Sequence, residues 1–409
     1  MRCIVRSSPL PHAALVLALV AGCSTGGGTN DDVPTDGGVD GGMPADDGTD
    51  VGHDVRDASP DAPRPPDAAD ATPVDGAAHD GPGTDGDATS DGAPGPAGPL
   101  LGVYRWGAPK GPPQVDAFGT WLGRSVDLGE DFEANDTWSN AEGPGWQVGP
   151  WHDWTVAHPG QRVVMTVTML PGPWDNSLSN LTDCAAGTYD AHWKTLGQSL
   201  VDHGLGDSVL RLGHEFNGGW YTWRAKDQPD KYAGCFRAMV KQLRTAPGQT
   251  FHFDWNSSVG VVQFPAEDAY PGDDVVDTVG VDVYDQSWAT DTYPIPAGAT
   301  DADAHARRER AWTELHDGDH GLVFWRDFAK KHGKPLSIPE WGVTHRGDGH
   351  GGEDNPEYVQ HMFDFVTDPA SHVAYHVYFD VGAPDGDHQL SIDTKFPNAA
   401  AKFKALFGK

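Results

Sequence analysis

A chain of 409 residues with a formal net charge of −32 is a poor partner for nucleic acid, because binding phosphate needs an excess of Lys and Arg. The acid is spread along the chain: residues 24–98 hold 17 Asp against Arg56 and Arg64, or −15, and residues 99–409 carry about −19. All 15 Trp lie beyond residue 100, so aromatic content and acidic low complexity occupy separate stretches.

In chain order, Arg2 and Arg6 precede the apolar run Ala13 to Val20, which leads into Ala21, Gly22 and Cys23. A basic start, a short apolar run and small residues make an export signal, and the run is too short to span a bilayer. Val20-Ala21-Gly22-Cys23 resembles the lipobox of bacterial lipoproteins. That resemblance implies a signal peptide over residues 1–23 and acylation of Cys23; an ordinary cleaved signal with an incidental Cys is the other reading. Ser24 in place of Asp resembles the pattern sorted to an outer membrane, so the expectation is an exported lipoprotein at the outer membrane or cell surface, with the lipid anchor as its membrane contact.

Residues 24–98 contain no Phe, Trp or Tyr and cannot bury enough apolar surface to offset chain entropy. They read as a disordered, self-repelling linker rich in Asp, Gly, Ala and Pro. Residues 99–409 have the length of one large barrel domain.

Eight short apolar runs follow: Leu101 to Trp106, Thr120 to Leu128, Arg162 to Leu170, Ser208 to Phe216, Thr250 to Asn256, Val276 to Tyr284, Pro335 to Trp341 and Val373 to Asp380. Helical patterns lie between them at Tyr189 to His203, Pro229 to Arg244, Leu322 to His332 and Asn355 to Val366, several opening on Pro or Asn. Eight βα units predict an α/β fold closed as a (β/α)8 TIM barrel. No Gly-rich phosphate loop follows the first run, which removes the common open-sheet alternatives. With Cys3 removed and Cys23 lipidated, Cys184 and Cys235 remain, either as a disulfide in an oxidising compartment or as two separate buried thiols.

In such a barrel, function sits where strands end. Glu215 closes the fourth run, in Arg211-Leu-Gly-His-Glu-Phe-Asn-Gly-Gly-Trp220, and Glu340 closes the seventh, in Leu336-Ser-Ile-Pro-Glu-Trp-Gly342. Paired carboxyls can supply both the proton and the anion that glycosidic cleavage requires. A second, ionised carboxylate and burial among Trp220, Trp223 and Trp341 would raise Glu215 into use as an acid. Arg211 and a Tyr hydroxyl such as Tyr284 could hold Glu340 as the anion. Trp174, Trp220, Trp223, Trp255, Trp288 and Trp341 fall at or beyond strand tips, where flat rings can stack on the apolar face of a sugar; for any one of them core packing is the alternative. Trp220 and Trp341 are the strongest of these, with Asn217 and Trp174 as further candidate contacts. His214 reads either as a contact to the sugar or to Glu215, or as a satisfied strand-end histidine. His345, Asp348, His350 and Glu353 lack the helical His spacing of zinc enzymes and read as a solvated loop, no Gly-x-Ser-x-Gly is present, and the chemistry calls for neither metal nor cofactor.

His214-Glu-Phe-Asn-Gly-Gly-Trp220 with Trp223 resembles the acid/base signature of glycoside hydrolase family 26, retaining enzymes of the (β/α)8 clan that carry catalytic glutamates on strands four and seven. Val279-Gly-Val-Asp-Val-Tyr284 resembles the family's strand six and Pro339-Glu-Trp-Gly342 its nucleophile strand. The resemblance implies that Glu215 is the acid/base, Glu340 the nucleophile, Tyr284 a hydrogen-bond donor to it, and that His214 and Trp220 line the site of the reacting sugar. It also implies a polysaccharide substrate, mainly β-1,4-mannan, with β-1,3-xylan and mixed-linkage glucan in smaller branches, cleaved by an endo-acting monomer; a non-catalytic carbohydrate-binding barrel is the competing class. The third run ends Thr168-Met-Leu-Pro-Gly-Pro-Trp174, without the family mannanases' Trp-His pair, and strand eight carries Tyr375 and Tyr378 where a Trp is common.

Overall fold

The computed structural model describes residues 98–409; the expected signal peptide, Cys23 and the linker through residue 97 lie outside them. Eight parallel strands close into a barrel in sequential order: β1 (Leu100–Tyr104), β2 (Leu128–Phe132), β3 (Arg162–Val167), β4 (Val209–Leu212), β5 (His252–Ser258), β6 (Thr278–Tyr284), β7 (Leu336–Gly342) and β8 (Val373–Phe379), with β1 paired to β8. The long helices around them are α1 (Gly111–Leu122), α2 (Gly145–Ala157), α4 (Asp190–Asp202), α5 (Pro229–Leu243), α6 (Asp301–Asp317), α7 (Leu322–Lys331), α8 (Pro356–Thr367) and α9 (Pro397–Phe407); α3 (Leu181–Ala185) is a single turn capped by the Asn180 side chain. A short hairpin, β9 (Gly382–Ala383) with β10 (Gly386–Asp387), follows β8 and bridges to His345 through Asp387. Among the described residues no helix is long and apolar enough to cross a membrane.

The second strand departs from expectation. Thr120, Trp121 and Leu122 finish α1, which Gly123 stops in the left-handed region at φ 93°, a conformation that favours glycine. The strand begins only at Leu128 and runs Leu-Gly-Glu-Asp-Phe, so its acidic pair hides it from any search for apolar runs.

Alternation along the strands divides the side chains between two cores. Leu128, Val164, Val209, Tyr375 and Val377 pack together inside the barrel, while the larger cluster, including Trp151, Trp193, Trp255, Trp325 and Trp341, lies between sheet and helices. Above the interior apolar layer the barrel is polar: Glu130, Thr166, Arg211, Asp254, Asn256 and Asp282 are all buried. Gly280 is required there, because a Cβ would come within 2.4 Å of Asp254 Oδ1. Cys184 and Cys235 form a disulfide with Cα atoms 4.9 Å apart, tying α3 to α5.

Candidate active site

Glu215 lies on a turn beyond β4. The strand ends at Leu212, Gly213 has φ 56° and Glu215 itself φ 49°, so the chain reverses hand at the barrel mouth and its Glu215 N–H donates to Asn256 O on β5 at 3.0 Å. The loop that follows braces itself: Trp223 Nε1 donates to His214 O at 2.7 Å, and the Tyr221 and Trp223 rings stack at 4.5 Å. Trp220 Nε1 reaches back to Glu215 Oε2 at 2.8 Å. Burial first, and the nearby Glu340 charge second, push the Glu215 carboxyl up to about 8, against the smaller opposing pull of Arg211 and Trp220. It holds its proton at neutral pH.

Glu340 is presented by β7 and held as an acceptor on both oxygens. Arg211 Nη1 is 2.6 Å from Oε1, and Tyr284 Oη donates to Oε2 at 2.6 Å. Both glutamates are 6% exposed, too little for water to screen their charges. The Tyr284 hydroxyl is raised well above its ordinary value, by burial first and the Glu340 charge second, and stays a donor. Behind Glu340 the buried Arg211 spreads over Glu130, Thr166, Asn256 and Asp282, a pattern charge-assisted hydrogen bonds make strong.

The remaining expected site residues divide. His214, 3% exposed, sits between the Phe132 edge and Tyr221, with Nε2 2.8 Å from Tyr221 Oη. Burial first, then Arg211, lowers it well below its ordinary value, so it is neutral, and its Nδ1 has no partner among the described residues. Trp174 is 49% exposed on the loop beyond β3, with the Arg224 guanidinium 4.2 Å from its ring centre. Trp341 is a correction. It is fully buried and faces outward from β7, its Nε1 bonded to His376 Nδ1 at 3.1 Å and its ring packed on Tyr378, Phe403 and Phe407. Neighbours on a strand face opposite ways, and Glu340 takes the inner face. Asn217 is a second correction: it is fully buried and clamps β5 by accepting from Ser258 N at 2.9 Å and donating to Ser258 O at 2.8 Å. Trp255 likewise packs in the core against Phe216 and Trp325.

Sequence reasoning missed Glu130, Asn256 and Asp282, the supports of Arg211. Asp282 was findable, since it lies two residues before Tyr284 on β6 and shares its face. On the far rim Trp288 is 47% exposed and stacks between loops beside Arg346 and His350, and Arg346 pairs with Asp348 and Asp385. His345 pairs with Glu353 at 2.6 Å.

A model of glycosyl hydrolase family 26 matches residues 198–297. Among solved structures, a modular endo-β-1,4-mannanase from Cellulomonas fimi is similar at 21% identity, with 76% of this chain and 71% of that one covered and a TM-score of 0.53. A double mutant of the Cellulomonas fimi endo-β-1,4-mannanase is similar at 19% identity, over 76% and 70% of the two chains, with a TM-score of 0.52. At these identities the structures speak for the fold; the matched segment contains Glu215, Asp282 and Tyr284, and Glu340 lies beyond it. The chain is an eight-stranded parallel barrel of the fold these mannanases share, and between residues 198 and 297 it matches the model of glycosyl hydrolase family 26.

Proposed function

We propose that the protein is a retaining, endo-acting glycoside hydrolase for β-linked polysaccharide, with Glu215 as acid/base and Glu340 as nucleophile. The observation that carries this is the contrast between the two carboxyls. Burial and the neighbouring charge keep Glu215 protonated, whereas Glu340 receives donors on both oxygens, as an anion requires. In the first step Glu340 Oε attacks the anomeric carbon as Glu215 gives its proton to the departing glycosidic oxygen. In the second, Glu215, now a carboxylate, takes a proton from water, the water oxygen bonds to the anomeric carbon and Glu340 leaves as its carboxylate. Retention calls for carboxyls about 5–5.5 Å apart.

β-1,4-Mannan heads the substrate classes because the matched Cellulomonas fimi enzyme is an endo-β-1,4-mannanase. β-1,3-Xylan and mixed-linkage β-glucan are the comparison polymers. Trp220, whose indole also fixes Glu215, and the exposed rings of Trp174 and Trp288 are proposed sugar platforms. Product analysis on these three polymers, with the anomer of the first product followed by NMR, tests the reading. Glu340→Ala should abolish product release while leaving the circular dichroism spectrum unchanged; normal turnover by a folded variant would remove it, and binding of polymer without cleavage by the wild type would favour a tethering barrel. We further propose a monomer anchored by an acylated Cys23 at the cell surface. Cys23→Ser should then fail to incorporate labelled fatty acid and should leave the membrane fraction.

A further inference from the structure

Arg211 is fully buried and its guanidinium serves three carboxylates at once: Glu130 on β2, Asp282 on β6 and Glu340 on β7. One positive charge cannot offset three negative ones out of contact with water, since each uncompensated buried ion costs several kcal/mol. Which of the three gives way is decided by their donors. Glu340 receives Arg211 on Oε1 and Tyr284 on Oε2. Asp282 receives Arg211 on Oδ2 and Asn256 Nδ2 on Oδ1. Glu130 receives Thr166 Oγ1 at 3.0 Å and Arg211 Nη1 at 3.3 Å on the same oxygen, Oε1, while Oε2 is buried with no partner among the described residues. Two carboxyls have donors on both oxygens and one has them on only one. An orphaned anionic oxygen costs more than an orphaned hydroxyl.

We propose that Glu130, resting on the reading of Glu340 as nucleophile, is a positioning residue that acts on Glu340 through the shared Arg211 Nη1 and does so as the neutral acid. Its Oε1 takes part of the donation from Nη1 and, with Thr166 Oγ1, fixes where that nitrogen sits. Its proton leaves the Arg211 charge to Asp282 and Glu340. An ionised Glu130 would instead compete for the same nitrogen and draw it away from the nucleophile. The charged and titratable groups that face Glu130 are Tyr104 on β1, Arg211 on β4, Asp282 on β6, Glu340 on β7 and Tyr375 on β8. Only Arg211 among them favours the anion. Burial first raises the Glu130 carboxyl well above its ordinary range, with the Glu340 charge adding to this and Arg211 opposing it.

The test compares the full-length wild type with Glu130→Gln and Glu130→Leu. Gln reproduces the neutral acid, so kcat/KM should stay within about twofold of wild type, with the acid limb of its pH profile unmoved. Leu removes the acceptor, so kcat should fall at least about fivefold at unchanged KM, and the acid limb of its pH profile should move because the guanidinium is no longer fixed. Infrared difference spectra of wild type minus Glu130→Gln at neutral pH should contain the C=O stretch of one protonated carboxylic acid. Absence of that band, a loss beyond about tenfold in folded Glu130→Gln, or a Leu variant with wild-type kcat and pH profile would each overturn the proposal. Should Glu130→Leu fail to fold, the Gln profile and the infrared band decide. The band is read without substrate, so failure of the hydrolase reading and failure of this one are told apart.

Discussion

Replacing Trp220 by Phe removes one hydrogen bond from the Glu215 carboxyl and keeps an aromatic ring. That bond, 2.8 Å from Nε1 to Oε2, favours the ionised form and opposes the two effects that raise Glu215, burial and the Glu340 charge. A hydrogen bond to a charged group contributes about 1.5–3 kcal/mol; Trp220 is only partly buried, which places it at the lower end, and about 1.4 kcal/mol corresponds to one pH unit. The basic limb of kcat/KM reports the acid of the free enzyme, so it should fall near pH 8 in the wild type and about one unit higher in Trp220→Phe. The assay is kcat/KM on a soluble β-1,4-linked oligosaccharide from about pH 5 to about pH 10. Weaker stacking on the sugar would displace the whole curve vertically, and only loss of the indole N–H moves its limb. A limb that stays in place, or moves down, in a folded variant would refute the assignment of Glu215 as the titrating acid.

Tyr284→Phe removes the 2.6 Å donor to Glu340 Oε2. Because that donor matters most when the carboxylate re-forms, hydrolysis of the glycosyl-enzyme should slow by at least about tenfold, and an activated aryl glycoside should then give a burst; steady turnover without one counts against this. Reduction of Cys184–Cys235, which closes 51 residues, should cost up to about 4 kcal/mol on the chain-entropy model, read as a lower Tm under a non-metal reductant, and an unchanged Tm would show that the bond adds nothing. Asp131, Asp254, Asp285 and Asp380 are each held up at about 6, chiefly by burial, against about 3.9 in an unfolded chain. A carboxyl raised by folding binds more protons folded than unfolded between the two values, so stability is lost as pH climbs through that window. Tm should therefore be higher near pH 5 than near pH 8, and the reverse order would refute the burial argument.

What could be read from the chain follows the physics of each signal. Strands buried on both faces are continuous apolar runs, and seven of the eight strands overlap such runs over most of their length. The second meets its run only at Leu128, because its inward positions include Glu130, and Asp131 turns outward to accept Trp151 Nε1 at 2.6 Å. The positions of Glu215 and Glu340 at the barrel mouth were legible because each closes an apolar run, and it is their joint placement on strands four and seven, more than either one alone, that marks them as a pair. Trp341 was misread by its adjacency to Glu340; the two-residue period of a strand assigns it to the helix-facing side. Arg211 was legible as an ally of Glu340, but its other partners come from β2, β3, β5 and β6, and only closure of the barrel brings those strands to one guanidinium.

The backbone at Glu215 has a cost of its own. A side chain at φ 49° sits in a region that costs an L-residue roughly 1–2 kcal/mol, and its carboxyl is buried besides. Glycine would remove both penalties, so a Glu215→Gly protein is expected to outlast its parent on heating. Laboratory evolution scored by heat resistance alone would therefore erode this position first, and any thermostable descendant needs a catalytic screen at every round.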